Sequence, residues 1–169
     1  MLRFAATSCA ALALTATAAL ANFANYGSAG GWTIYVDNSR DLCFAERVDS
    51  AGFVTHMNVV SIEKGIASMA VYGTTPETHA RLVDGENSRI TILFDDGATF
   101  EGTLNEVDGL PDNYAGGVIH TDNPDFIDHV REKEEMLVNP GDDAVIISLK
   151  GTKAAMALGL ECLAEHHGS

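Results

Sequence analysis

The sequence predicts an α+β domain: a mostly antiparallel, sandwich-like β-sheet with two C-terminal helices around a central strand. Three observations carry that prediction. From Trp32 to Leu104 apolar residues recur at every second position in short stretches separated by Asp, Asn, Ser and Gly, as half-buried strands require. From Asp122 onward the apolar spacing changes to that of helices. Two cysteines, Cys43 and Cys162, bracket both halves.

Taken in order, residues 22–31 (NFANYGSAGG) are rich in Gly, Ala, Ser and Asn and read as a flexible leader to a globular domain spanning 32–165. Trp32, Ile34 and Val36 then share one side of a first strand. In residues 42–48, Cys43, Ala45 and Arg47 oppose Leu42, Phe44 and Glu46. After the turn at residues 49–52, Phe53, Thr55, Met57 and Val59 resume the alternation, so these two strands form a hairpin. Residues 67–72 make a further strand. Strands at 89–94 and 98–104 flank Asp95-Asp96-Gly97, the clearest hairpin signal, because Asp and Gly accept the positive φ of a tight turn. Residues 105–117 read as a loop and residues 118–120 as a short edge strand. Asn123-Pro124 then offers a helix cap with proline in the first turn. Phe126, Ile127, Val130 and Leu137 recur at helical spacing up to the stop at Asn139-Pro140-Gly141. The apolar run at 144–149 suits a central strand. A last helix runs from Gly151-Thr152 to about Glu165, with Ala155, Leu158 and Cys162 on one side, and residues 166–169 form a frayed tail.

Residues 1–21 read as a secretory signal peptide, with a basic start at Arg3, an Ala/Leu-rich middle and Ala19-Leu20-Ala21 before the cut. Export to the periplasm or beyond follows. Cys9 leaves with the leader, and the remaining even pair, Cys43 and Cys162, is expected as one disulfide in an oxidising compartment. Such a bond would pin the inner face of the last helix to the second strand if the Cα atoms lie within about 7 Å. Lys and Arg number 10 against 24 Asp and Glu, for a net charge of −14. That balance argues against nucleic acid and against anionic lipid, both of which call for basic surface. No later stretch is long enough for membrane insertion of the mature chain.

The order of these features resembles the invasion-associated locus B family of small exported alphaproteobacterial proteins. The likeness is architectural, from Trp32 to Ala164. Its most local element is Ser148-Leu149-Lys150-Gly151 leading to Ala155, with Thr152 where that family usually carries an aromatic residue. The resemblance implies a β-rich envelope protein without established catalytic residues.

Chemistry-bearing patterns are sparse. There is no G-x-S-x-G, C-x-x-C, H-E-x-x-H or phosphate-cradling glycine loop, so no catalytic residues and no cofactor are assigned. His120, Asp122 and His129, with Asp125 and Asp128, are the candidate metal ligands. Their spacing matches no standard ligand set, and the aspartates equally suit the positive end of a helix dipole, so no metal is expected. The acidic pairs at 95–96 and 142–143 lack the spaced oxygens of a calcium loop. The candidate binding loop, residues 105–117, offers Leu110, Pro111 and Tyr114 beside Asp112. The expected function is a non-enzymatic, envelope-associated binding protein whose partner is a basic protein or peptide, or an envelope polymer. A small envelope hydrolase and a metal-capturing protein are the alternatives.

Overall fold

The computed structural model describes residues 23–74, 88–107, 110, 114–141 and 144–167; the leader expected at residues 1–21 lies outside them. Ten strands form one sheet in the order β1-β2-β3-β4-β5-β8-β7-β6-β9-β10, with antiparallel pairing throughout. They are β1 Phe23–Ala29, β2 Trp32–Asp37, β3 Leu42–Val48, β4 Val54–Ser61, β5 Ile66–Gly73, β6 Ser88–Phe94, β7 Thr99–Glu106, β8 Ala115–Asp122, β9 Glu135–Val138 and β10 Val145–Ser148. Two helices, α1 Pro124–Glu132 and α2 Thr152–His167, complete the described residues. The domain is α+β and mostly β.

The stretch expected as a leader is strand β1. Gly30 and Gly31, both at positive φ, close a two-residue hairpin that pairs Ala29 with Trp32. The small side chains that made β1 read as a loop have a packing reason. Gly27 faces the Leu158 side chain of α2, and a Cβ there would stand 3.4 Å from it. Strand propensity yields here to tertiary context.

Three further expectations change. Residues 118–120 belong to an eight-residue strand, β8, that lies between β5 and β7 instead of at an edge. Gly116 and Gly117, which looked like loop, let it approach: a Cβ on Gly117 would fall 2.4 Å from Leu104, and one on Gly116 2.2 Å from the Val71 carbonyl. The first helix ends at Glu132, and Leu137 belongs to β9. Met136 and Val138, fully or almost fully buried, alternate with Leu137 and pair with Phe94 and Ile92 of β6, so the open edge of β6 captures them. Strand β10 closes the strand order, paired with β9 alone. Its apolar run resembled a strand buried on both faces, yet Ile146 is 57% exposed between buried Val145 and Ile147. The last helix also runs beyond Glu165, to His167.

Alternation then gives the sheet two unlike faces. Trp32, Ile34, Val36, Cys43, Ala45, Met57, Val59, Met69 and Val71 turn inward and form the core with α1 and α2. Helix α2 packs across β1–β4 with Ala155 and Cys162 completely buried. Cys43 and Cys162 form a disulfide with a Cα–Cα distance of 6.1 Å. At the start of α2 the sheet's two ends meet. The Trp32 indole N–H and the Arg47 guanidinium both donate to the Lys150 carbonyl at 2.9 Å, and Gly151 lies directly on Gly30. The Thr152 hydroxyl donates to the Val130 carbonyl, tying α2 to α1.

Candidate functional site

Helix α2 covers one face of β1–β4, and the opposite face is open. Every second residue there faces outward, and strand register sets them in rows. Asn58 of β4 lies opposite Ser68 of β5, which lies opposite His120 of β8. The next row runs Glu46, His56, Ala70, Val118 and Asn105. Adjacent strands stand about 4.8 Å apart, so each row presents a line of side chains at that interval.

Side-chain size shapes this face. Ser68 and Ala70, at the centre on β5, are short, whereas Phe44, His56, Val118 and His120 rise around them. The result is an open cleft of about 560 Å³, with Phe23, Leu42, Asp37 and Arg40 at one end and Asn105, Glu106 and Val107 at the other. That volume lies within the range of about 300–1,000 Å³ typical of small-ligand sites.

An aromatic ladder stiffens one wall. Tyr35 stacks on Phe44 at 5.5 Å, exposed Phe23 meets Phe44 edge-on at 5.5 Å, and the His56 ring tilts against Phe44 at 4.7 Å. His56 Nε2 stands 2.7 Å from Glu46 Oε2 and 2.8 Å from the Tyr72 hydroxyl oxygen. An ionised carboxylate only accepts, so Nε2 carries the proton and donates. Burial, then the charge of Glu46 and the neighbouring Tyr114, push the Tyr72 phenol well above its usual range, and it stays a neutral hydroxyl.

The charges beside the cleft are already engaged. Burial acts to raise the Asp37 pKa, but hydrogen bonds from Ser39 and from the Arg40 N–H, with the Arg40 charge, outweigh it. The carboxyl is held below its ordinary value. Asn58 is different. Its Oδ1 is buried in the cleft wall with no hydrogen-bond partner among the described residues. A buried polar atom in that condition costs about 1–3 kcal/mol of desolvation.

The residues singled out in the sequence are spread more widely. Of the binding loop, Tyr114 packs edge-on to Tyr72 at 6.2 Å and Leu110 is half-buried, while Pro111 and Asp112 lie outside the described residues. His120 is exposed at the rim of the cleft. His129, by contrast, packs against Phe94 and Phe100, and its Nδ1–H donates to the Asp125 carbonyl. Asp122 ends β8 beside Asn123, whose side chain caps α1. Among the described residues no three of His, Cys, Asp or Glu come together as a metal site.

No protein-family model, curated protein or solved structure matches the chain. His56, Asn58, Ser68 and Ala70 were not singled out in the sequence, although their signal is present: Thr55, Met57 and Val59 point to the core, so the residues between them face away. The pairing of β4 with β5, and of β5 with β8, is what assembles them into one surface.

Proposed function

We propose that this is an exported, non-enzymatic binding protein of the cell envelope, periplasmic or secreted, and that the cleft on the open sheet face is its binding site. The observation that carries the reading is the buried, unpartnered Asn58 Oδ1 in the wall of a cleft large enough for a ligand. Native proteins rarely leave such an atom unsatisfied, and a bound donor would satisfy it once the Asn58 amide turns toward the cleft. The disulfide supports export, since such bonds persist in oxidising compartments. No described helix is long and apolar enough to cross a membrane. The locus B-like resemblance and a sandwich-like closure of the sheet belong to the same proposal. So does a basic protein or peptide as an additional partner of the acidic surface, through the loop residues Leu110, Pro111, Asp112 and Tyr114. A hydrolase would need a nucleophile bonded to its base. Ser68 and His120 face each other across β5 and β8, but no hydrogen bond joins them among the described residues.

Ala70→Phe tests the site, because it fills the hollow from the open face without touching the core. Protein recovered from the periplasm of a bacterial host should begin at Asn22. It should gain thermal stability saturably with at least one member of a panel of neutral oligosaccharides, oligolysines and short neutral peptides. The variant should melt within a few degrees of the parent, since outward-facing substitutions cost within about 0.5 kcal/mol, and should lose that response. A panel without a saturable ligand blocked by Ala70→Phe would overturn the binding reading, and an intact Met1 would overturn export.

A further inference from the structure

The chemistry of the cleft narrows its ligand, given the binding reading above. A charged ligand is best held by a charged group free of other partners, and the inward carboxylates here already accept hydrogen bonds from neighbours. Asp37 accepts from Ser39 and Arg40, and lies 3.8 Å from the Arg40 guanidinium. Glu46 is held by His56 at 2.7 Å. Glu106, exposed at the rim, contributes only a solvent-screened charge.

What remains is neutral and amphipathic. Asn58, Ser68 and His120 form a straight polar row across three adjacent strands. At the end of that row Phe23 and Phe44 meet at 85° and make an apolar corner. Asn58 Oδ1 asks for a hydroxyl or N–H donor. A pyranose ring carries both halves of the complement: hydroxyl groups around its edge and an apolar C–H face that packs on aromatic carbon. We infer that the cleft binds a short neutral oligosaccharide, with its hydroxyl edge on Asn58, Ser68 and His120 and its apolar face on Phe23 and Phe44.

Calorimetric titration of the protein lacking residues 1–21 tests this with chitotriose, maltotriose and cellotriose, against tetralysine and trialanine amide as comparison ligands. At least one trisaccharide should bind with a Kd below about 1 mM, the weak end of specific recognition. It should bind at least tenfold more tightly than either comparison ligand. Asn58→Leu should weaken that binding about tenfold, as expected for one lost buried hydrogen bond, without lowering the melting temperature. Ser68→Val gives a second variant on the same row, should Asn58→Leu not fold, with the same loss expected. Trisaccharide binding that survives both variants would overturn the role of the polar row. Tighter binding of tetralysine or trialanine amide, blocked by Ala70→Phe, would overturn the saccharide assignment and leave the binding site standing. Absence of binding by every ligand would overturn both.

Discussion

Replacing both Cys43 and Cys162 with Ala is expected to destabilise the protein by about 4–5 kcal/mol. The bond links residues 119 apart, almost the full length of the described domain. A crosslink that closes so long a loop removes much of the freedom of the unfolded chain, and in the chain-entropy model its effect grows with the logarithm of loop length. The folded state loses something as well, because Cys162 anchors the buried side of α2 to β3. With total stabilities of about 5–15 kcal/mol for ordinary domains, the loss is a large share. Guanidinium unfolding of the double variant should show it as a lower midpoint. Reduction of the parent by dithiothreitol should reproduce most of the effect. A difference below about 1 kcal/mol would mean that the packing of α2 holds without the bond.

Gly151→Ala is expected to cost about 2–6 kcal/mol. Two penalties combine there. The backbone sits at φ +80°, which an L side chain rarely adopts, a strain of about 1–3 kcal/mol. An added Cβ would also fall 1.9 Å from the Gly30 carbonyl oxygen. Relief requires the β1–β2 hairpin to part from the start of α2, which adds about 1–3 kcal/mol as in other overpacked sites. The shift would pull Lys150 from Trp32 and Arg47, so near-ultraviolet circular dichroism of the single Trp should change. Gly97→Ala is the control, since it shares a positive φ of +86° but has open space around the new Cβ. It should cost only the conformational part. Equal effects at the two positions would show that the Gly30–Gly151 approach carries no stability.

Much of the architecture was legible because local and tertiary preferences agree. Trp32, Ile34 and Val36, or Thr55, Met57 and Val59, alternate over strands whose one face is core, and alternation is the direct imprint of that burial. The Asp95-Asp96-Gly97 hairpin and the Asn123-Pro124 cap were legible for local reasons, through turn and cap chemistry. Misreadings arose where tertiary contact outweighed composition. β1 carries Gly27, and β8 Gly116 and Gly117, where another element presses close, and glycine without that context reads as loop. Leu137 falls two helical turns after Val130, so its spacing fitted a helix although β6 recruits it into the sheet.

The candidate site was the least legible part. Its members come from β1 to β5, β7 and β8, and only register makes His56 a neighbour of Ala70 and Ser68 a neighbour of His120. An outward-facing Asn or His is indistinguishable from ordinary solvated surface until the opposing strands are known. The cleft depends equally on what is small: Ser68 and Ala70 carry no motif, yet they create the hollow.

The direct measurement is an amide chemical-shift map of the isotopically labelled protein titrated with chitotriose, maltotriose and cellotriose. Binding at the open face should move Phe44, His56, Asn58, Ser68, Ala70 and His120 together along a single saturation curve, and should leave core residues away from the cleft such as Val138 and Ile147 in place. Saturable shifts confined to another surface, or no saturable shift with any of the three, would contradict the account.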